Sequence, residues 1–211
     1  MKRFALVCAA GVLMAAGLSA QEYSHVAINI GAGFTQAVGN TGTRLDMGWN
    51  VRGGVGYNFN PYFGVLVDGA YNNMGINSTT LATYGAPGGR MSVTSFTLDP
   101  IVHVAPKSRA DFYITGGGGL FHRYQEFTAP SVQVVTGFDP FFGFYPIGVP
   151  ANQILANYSV NKPGIDIGAG VAFGSKWHGK FFAEARYERI FMGNRFANDT
   201  EYLPVTFGFR W

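Results

Sequence analysis

Apolar and polar residues alternate with a period of two along most of the chain after residue 24, the spacing of strands with differently solvated faces. In residues 24–35, Val26, Ile28, Ile30, Ala32 and Phe34 share one face, with Asn29, Gly31, Gly33 and Thr35 on the other. Residues 46–59 set Met47, Trp49, Val51, Val55, Tyr57 and Phe59 against Asn50, Arg52, Gly54, Gly56 and Asn58. A third strand, 63–72, carries Phe63, Val65, Val67 and Tyr71 opposite Asp68 and Asn72, and a fourth, 91–104, carries Phe96, Leu98, Val102 and Val104 opposite Ser95, Thr97, Asp99 and His103. Segment 111–123 follows, with Phe112, Ile114 and Leu120 on the apolar side. Segments 162–174 and 180–191 place Asp166 on one inner face and Glu184, Arg186 and Glu188 on the next. The eighth, 201–211, alternates Leu203, Val205, Phe207, Phe209 and Trp211 with Pro204, Thr206, Gly208 and Arg210.

The connections alternate too. About 10, 18, 38 and 9 residues follow the odd strands, but only about 3, 6 and 5 follow strands two, four and six. Long connections at one end and short turns at the other, with an even strand number, predict an all-β, eight-stranded antiparallel up-and-down barrel whose termini lie on the short-turn side. Pro100 interrupts the fourth strand and predicts a bulge there, because proline donates no ladder hydrogen bond. Gly116 to Gly119 leave the facing of strand five ambiguous and suggest close backbone approach. Residues 124–161 read as a long loop in which 131–135 and 154–160 could pair.

Composition decides what solvent this barrel faces. The chain is 16% aromatic and 13% charged with 30 glycines, against about 25% charged for a typical soluble domain. Too few charges exist to cover a watery surface, and a chain that enters lipid without long apolar helices must do so as a closed barrel. Met1, Lys2 and Arg3, an apolar run from Phe4 and the small residues before Gln21 form a secretory signal, placing a signal peptide at 1–20 and the barrel domain at 21–211. Cys8, the only cysteine, falls inside that signal, so disulfides and thiolate sites are not expected. Removing 1–20 leaves 13 Lys and Arg against 12 Asp and Glu, too even a balance to suggest nucleic acid.

The pattern over 24–211, with its last strand of alternating aromatics, is similar to the small eight-stranded OmpA/OmpX-type barrels of the Gram-negative outer membrane. That resemblance implies an integral outer-membrane protein that stabilises the membrane or binds surfaces through its loops, an adhesin-like role. It also implies a C-terminal assembly signal, Phe207, Phe209 and Trp211, read by the outer-membrane assembly machinery. The chain stops at Trp211, so the peptidoglycan-binding domain of full-length OmpA is not expected.

Candidate chemistry is sparse. The interior of an eight-stranded barrel is just wide enough for side chains to fill it. The inward residues Arg52, Asp68, Asp99, His103, Asp166, Glu184 and Arg186, with Arg123 and Glu188, mix both signs and are expected to pair as a lumenal ionic cluster, since an unpaired buried charge is costly. A small gated pore is the alternative reading of that cluster. The aromatic stretch Phe138, Phe141, Phe142, Phe144 and Tyr145 is a candidate interaction loop for a host or matrix ligand, or else the loop folds over the barrel mouth or continues strands five and six beyond the membrane, burying those rings itself. His25 and His178 fall at the short-turn side of strands one and seven, His103 faces the lumen near that end and His122 lies near the long-loop end of strand five, and no His-x-Ser or His-acid pair is expected at adjacent inward positions. The chain is therefore expected not to be an enzyme, a membrane-embedded lipid-modifying hydrolase being the weaker alternative. No cofactor or metal is expected. The expected partners are outer-membrane lipid and lipopolysaccharide, the latter through Arg44, Arg90, Arg123 and Arg195, and the chain is expected to be a monomer.

Overall fold

A computed structural model describes residues 25–106, 108–175, 179–193 and 198–211. The predicted signal segment, His178 and Arg195 lie outside them. Eight antiparallel strands form a closed ring in chain order: β1 Val26–Ala37, β2 Gly48–Asn60, β3 Phe63–Gly75, β4 Gly88–His103, β5 Ala110–Asp139, β6 Gly143–Ser175, β7 Gly179–Ile190 and β8 Thr200–Arg210. Pairing of β1 with β8, from Asn29 opposite Arg210 to Ala37 opposite Tyr202, closes the barrel. Two short helices, α1 Gly39–Gly42 and α2 Ser78–Tyr84, occupy the first two long connections.

Alternation fixes the facing as the sequence predicts. Ile30, Val55, Phe96, Leu98, Phe112, Ile114, Leu120 and Ile167 are exposed on the outside, while Asn29, Thr35, Asn50, Arg52, Asp68 and Asn72 are buried within. Aromatics gather towards the strand ends. His25, Tyr57, Phe59 and Phe63 form a chain of ring contacts at the short-turn rim, and Trp49 meets Tyr71 at the other, 5.4 Å between centroids. The β2–β3 turn is held by Asn60, whose Oδ1 accepts hydrogen bonds from the N–H groups of Tyr62 (2.8 Å) and Phe63 (2.9 Å), an Asx-type turn.

Three expectations need correction. Pro100 makes no bulge: β3–β4 register runs unbroken through Val65 opposite Pro100, and β4–β5 pairing resumes at Ile101 opposite Thr115 without a shift. The proline simply leaves a gap in one ladder, made tolerable because Gly116 and Gly117 stand opposite the gap. A side-chain carbon at Gly117 or Gly119 would collide with the backbone carbonyl of Leu98 or Phe96, which accounts for two of the four consecutive glycines. Register shifts occur instead between Asn58 and Asn60 and between Phe127 and Thr128.

The second correction concerns 124–161, which does not fold over the barrel mouth; of the two arrangements expected for the loop, the continuation of strands five and six is the one present. The segment continues β5 and β6 as one hairpin, so these strands have 30 and 33 residues. The third concerns the pairing expected there: Ser131 to Val135 pair with Ala151 to Ile147, and Ile154 to Val160 pair with Thr128 to Arg123, not with each other. The outer neighbours stop early, β4 at Gly88 opposite Thr128 and β7 at Ile190 opposite Gly164. Beyond those points the hairpin is a two-stranded ribbon, extending roughly 37 Å past Thr128 at about 3.4 Å per residue. Gly143, at φ +74°, makes the tip turn, a left-handed conformation costly for any residue with a Cβ.

Because the ribbon beyond Thr128 and Ile154 pairs only with itself, the barrel should not need it. Replacing residues 129–153 with an Asn-Gly turn is expected to leave a folded protein that still migrates faster before boiling than after on a denaturing gel. Loss of that heat-dependent shift would show that the ribbon is needed for closure.

Candidate functional site

The inward side chains stack in three layers. Nearest the short-turn rim, Ile101, Tyr113, Ala172 and Phe182 form a small apolar cluster, and Arg210 lies over the Tyr113 ring at 4.4 Å and the Phe182 ring at 5.4 Å, cation–π contacts that favour a desolvated guanidinium. At the long-loop end Ala37, Leu45, Met74, Ile76, Met91, Val93, Phe121, Ile190, Met192 and Tyr202 pack together, with Leu81 of α2 against them. α2 is held over this mouth by Asn77, whose side chain accepts from the Thr80 N–H at 2.8 Å, and by Gly85 at φ +64°, a paired N-cap and C-cap.

Between these apolar layers lies the ionic one. Arg186 is its hub: Nε donates to Glu184 Oε1 (2.5 Å), Nη1 to Asp99 Oδ2 (2.5 Å) and Nη2 to Asp68 Oδ2 (2.7 Å), with Asp166 Oδ1 3.5 Å from Nη1. Arg52 bonds Glu188 through Nη2 and reaches Asp68 Oδ2 at 3.3 Å and Glu184 Oε1 at 4.0 Å through Nη1. Tyr202 closes the group from above, its hydroxyl donating to Glu188 Oε2 at 2.7 Å. Next to it a neutral network crosses the lumen: Thr206 donates to Asn50 Oδ1 (2.8 Å), Asn50 to Thr35 Oγ1 (3.2 Å), and Thr35 to Asn72 Oδ1 (2.7 Å).

Of the inward residues read from the sequence, the structure therefore brings together Arg52, Asp68, Asp99, Asp166, Glu184, Arg186 and Glu188. His103 is set apart two inward positions beyond Asp99, and, against the expectation that no inward acid adjoins a histidine, its partner is Asp111, whose Oδ2 is 2.7 Å from Nδ1 and 3.5 Å from Lys180 Nζ. Arg123 is also elsewhere, at the long-loop mouth on Thr200 Oγ1 (3.1 Å) and Gln125 Oε1 (2.8 Å). It is turned in from the rim and is not placed for an external phosphate. Arg44 and Arg90 lie outside, though Arg90 Nε is bound to Glu126 Oε1 at 2.6 Å.

The aromatic group sits at the ribbon tip. Phe138 and Phe144 face each other with centroids 5.1 Å apart, and Phe141 and Phe142 are 90% and 86% exposed. Asp139 Oδ1 accepts from both of their N–H groups, at 2.7 and 3.1 Å, so its carboxylate holds the tip. Phe207, Phe209 and Trp211 point outward, Phe209 between Phe181 at 5.7 Å and Trp211 at 6.1 Å.

Sequence reasoning did not reach two groups. The apolar layer at the mouth was missed because Met74, Ile190 and Met192 lie at or beyond the ends assigned to their strands. On the outer wall, His122 Nδ1 lies 2.6 Å from Asn161 Oδ1, and Ser159 Oγ lies 3.4 Å from His122 Nε2. His122 shares the parity of Leu120, so its outward direction was legible. Residues 159 and 161 were assigned to a loop and given no facing.

A closed ring of strands, apolar outside and filled within, is the architecture of an integral membrane β-barrel. Residues 5–209 match the outer membrane protein beta-barrel domain family, and the chain belongs to it and resides in the outer membrane. An uncharacterized protein of Coxiella burnetii is 26% identical over 175 residues, which are 78% of this chain and 66% of that protein, just under two thirds of its length. Among solved structures, Neisserial surface protein A is similar with a TM-score of 0.57 and 16% identity, over 89% of this chain and 96% of that one. The attachment invasion locus protein Ail of Yersinia pestis gives 0.47 and 17%, over 89% and 100%. OprG of Pseudomonas aeruginosa gives 0.46 and 12%, over 90% and 97%.

Removing one partner of a buried ion pair costs about 3–5 kcal/mol, because the other charge is left uncompensated. Arg186→Met is accordingly expected to lower the urea unfolding stability of the detergent-folded barrel by that amount. At the rim, Arg189 donates to Asp199 Oδ2 from Nε (3.0 Å) and Nη2 (2.7 Å). Those bonds, with that of the Met192 N–H, hold the Asp199 carboxyl below its usual range. This pair is in water, so Arg189→Met should change stability far less than Arg186→Met. Equal effects of the two variants would contradict the central role of Arg186.

Proposed function

We propose that this protein is a membrane-anchored surface-interaction barrel, adhesin-like in mode, whose binding element is the β5–β6 ribbon. One observation carries the reading. From 127 to 161 the only charged residue is Asp139, and at the tip Phe138, Phe141, Phe142 and Phe144 are largely exposed. Such a surface is unusual in water, and exposed apolar patches mark interaction sites; aromatic side chains are enriched at the centres of protein interfaces.

The ribbon is also suited to present rings without polymerising. Pro130, Pro146 and Pro150 lie opposite Asn152, Thr136 and Val132 on a single face, so all three have the same place in the hydrogen-bonding alternation. Each deprives a free edge of a donor, a known protection against edge-to-edge association, which favours a monomer. Outer-membrane lipid is the partner of the apolar belt, lipopolysaccharide phosphates that of exposed Arg44 and Arg90, and the assembly machinery that of the terminal strand with Phe207, Phe209 and Trp211. The ligand at the tip is a host or matrix surface with an apolar or aromatic-accepting groove.

Changing Phe138, Phe141, Phe142, Phe144 and Tyr145 together to serine is expected to reduce attachment of expressing cells to the host or matrix surface by more than about 30-fold, the loss of one interface hot spot of about 2 kcal/mol or more. Surface display and the heat-dependent gel shift should be retained. Unaltered attachment would exclude the ribbon as the binding element.

A further inference from the structure

We propose that Ser159, His122 and Asn161 form an acyl-ester hydrolase site on the outer wall of the barrel, at the level where lipid ester groups meet the hydrocarbon. The three lie on adjacent strands, His122 of β5 directly opposite Asn161 of β6, and Ser159 one outward position further along β6. Asn161 Oδ1 can only accept, so at 2.6 Å it takes the Nδ1 proton of His122. Nε2 is then the unprotonated nitrogen, and Ser159 Oγ faces it at 3.4 Å. Nucleophile, base and orienting group thus follow the order required for serine acyl transfer, and such contacts are commonly loose without substrate.

Depth selects the substrate. On the outer face of β5, exposed Phe112, Ile114 and Leu120 lead to His122, ten residues from Phe112 and so about 33 Å along the strand. Strands in such barrels tilt about 40°, which puts His122 about 25 Å above Phe112, the height of the apolar belt. Acyl chains lying on Leu120, Phe96 and Ile165, all exposed, would hold their ester carbonyls beside Ser159.

The strand edge supplies a donor for the oxyanion. Phe191 N–H donates to the Pro163 carbonyl at 3.1 Å, so the backbone of Pro163 points away from β5. Alternate residues of a strand point the same way, which aims the N–H of Ser159 at the same edge. The β6–β7 ladder ends at Gly164 opposite Ile190, and no described residue is backbone-bonded to Ser159 on that side. Among the described residues this N–H has no backbone acceptor, and in the proposed site it binds the oxygen that becomes negative in the transition state.

In the reaction, Ser159 Oγ attacks the ester carbonyl carbon as its proton passes to His122 Nε2. The bond from that carbon to the alcohol oxygen breaks, and the alcohol leaves with the Nε2 proton. Water then attacks the acyl-Ser159 carbon, giving one proton to Nε2. The fatty acid departs, and Ser159 Oγ recovers that proton. Ser159 and His122 are the catalytic residues, and Asn161 is a positioning residue.

The test is fatty-acid release by the full-length folded protein, measured by mass spectrometry in two arms: phospholipid in detergent mixed micelles, and lipopolysaccharide. Release is expected in at least one arm, and the active arm identifies the ester source. Ser159→Ala should abolish it, and His122→Ala should lower it about 100- to 10,000-fold, the range of general-base catalysis. Asn161→Ala should lower kcat with KM little changed, and Asn161→Asp should restore it. Ser108→Ala, in the turn between β4 and β5 at the opposite rim, should behave as the parent, and every variant should keep the heat-dependent gel shift. A fluorophosphonate should modify Ser159 in the parent. Absence of release in both arms, or release unchanged in Ser159→Ala, would overturn the proposal.

Discussion

In hydrocarbon no water is present to satisfy a backbone N–H or C=O, so a chain crossing a membrane as strands must pair every strand on both sides. The rest of this molecule follows from that constraint. Ring closure through β1 and β8 removes both edges within the membrane. With eight strands, it leaves an interior only wide enough for side chains. Where β5 and β6 rise beyond their neighbours, the constraint lapses, and only there does a free-standing ribbon with prolines on its edges appear.

Filling the interior makes its electrostatics severe. Among the described residues three guanidiniums, Arg52, Arg186 and Arg210, share the buried lumen with six carboxylates, Asp68, Asp99, Asp111, Asp166, Glu184 and Glu188. Arg186 meets four of the carboxylates at once, which a planar fork of five N–H donors can do and an ammonium cannot. The apolar layers above and below keep water from the pairs, which strengthens each pairing and raises the cost of any that is lost. An arrangement of this kind rigidifies the wall at mid-height and leaves recognition to the outside.

Much of this was legible in the sequence because the barrel period is short and strict. The parity that puts Ile30 outside also puts Asn29 inside, and the same rule placed Arg52, Asp68, Asp99, Asp166, Glu184 and Arg186 in the lumen before any distance was known. Parity does not show height, so His103 was grouped with residues beyond its reach. It also depends on where a strand is taken to end. Residues 124–161 carry only two charges, Glu126 and Asp139, and lack clean alternation, because in the ribbon both faces see the same solvent and no difference in solvation is written into the sequence. Ser159 and Asn161 keep the parity of Ile165 in unbroken register with β5, and only the placing of the start of strand six at residue 162 hid their outward facing. Pro100 misled for a related reason: a gap in a ladder and a bulge share one sequence signature, and only the register of both neighbours separates them.

A wall that seals its own lumen can act only at its surfaces, through the ribbon tip above the membrane and through side chains on its outer face. Planar-bilayer recording from the folded parent protein tests the sealed lumen most directly. The three packed layers predict no stepwise ion conductance at either polarity. Reproducible single-channel openings from the parent would contradict them and would make the ionic layer a gate.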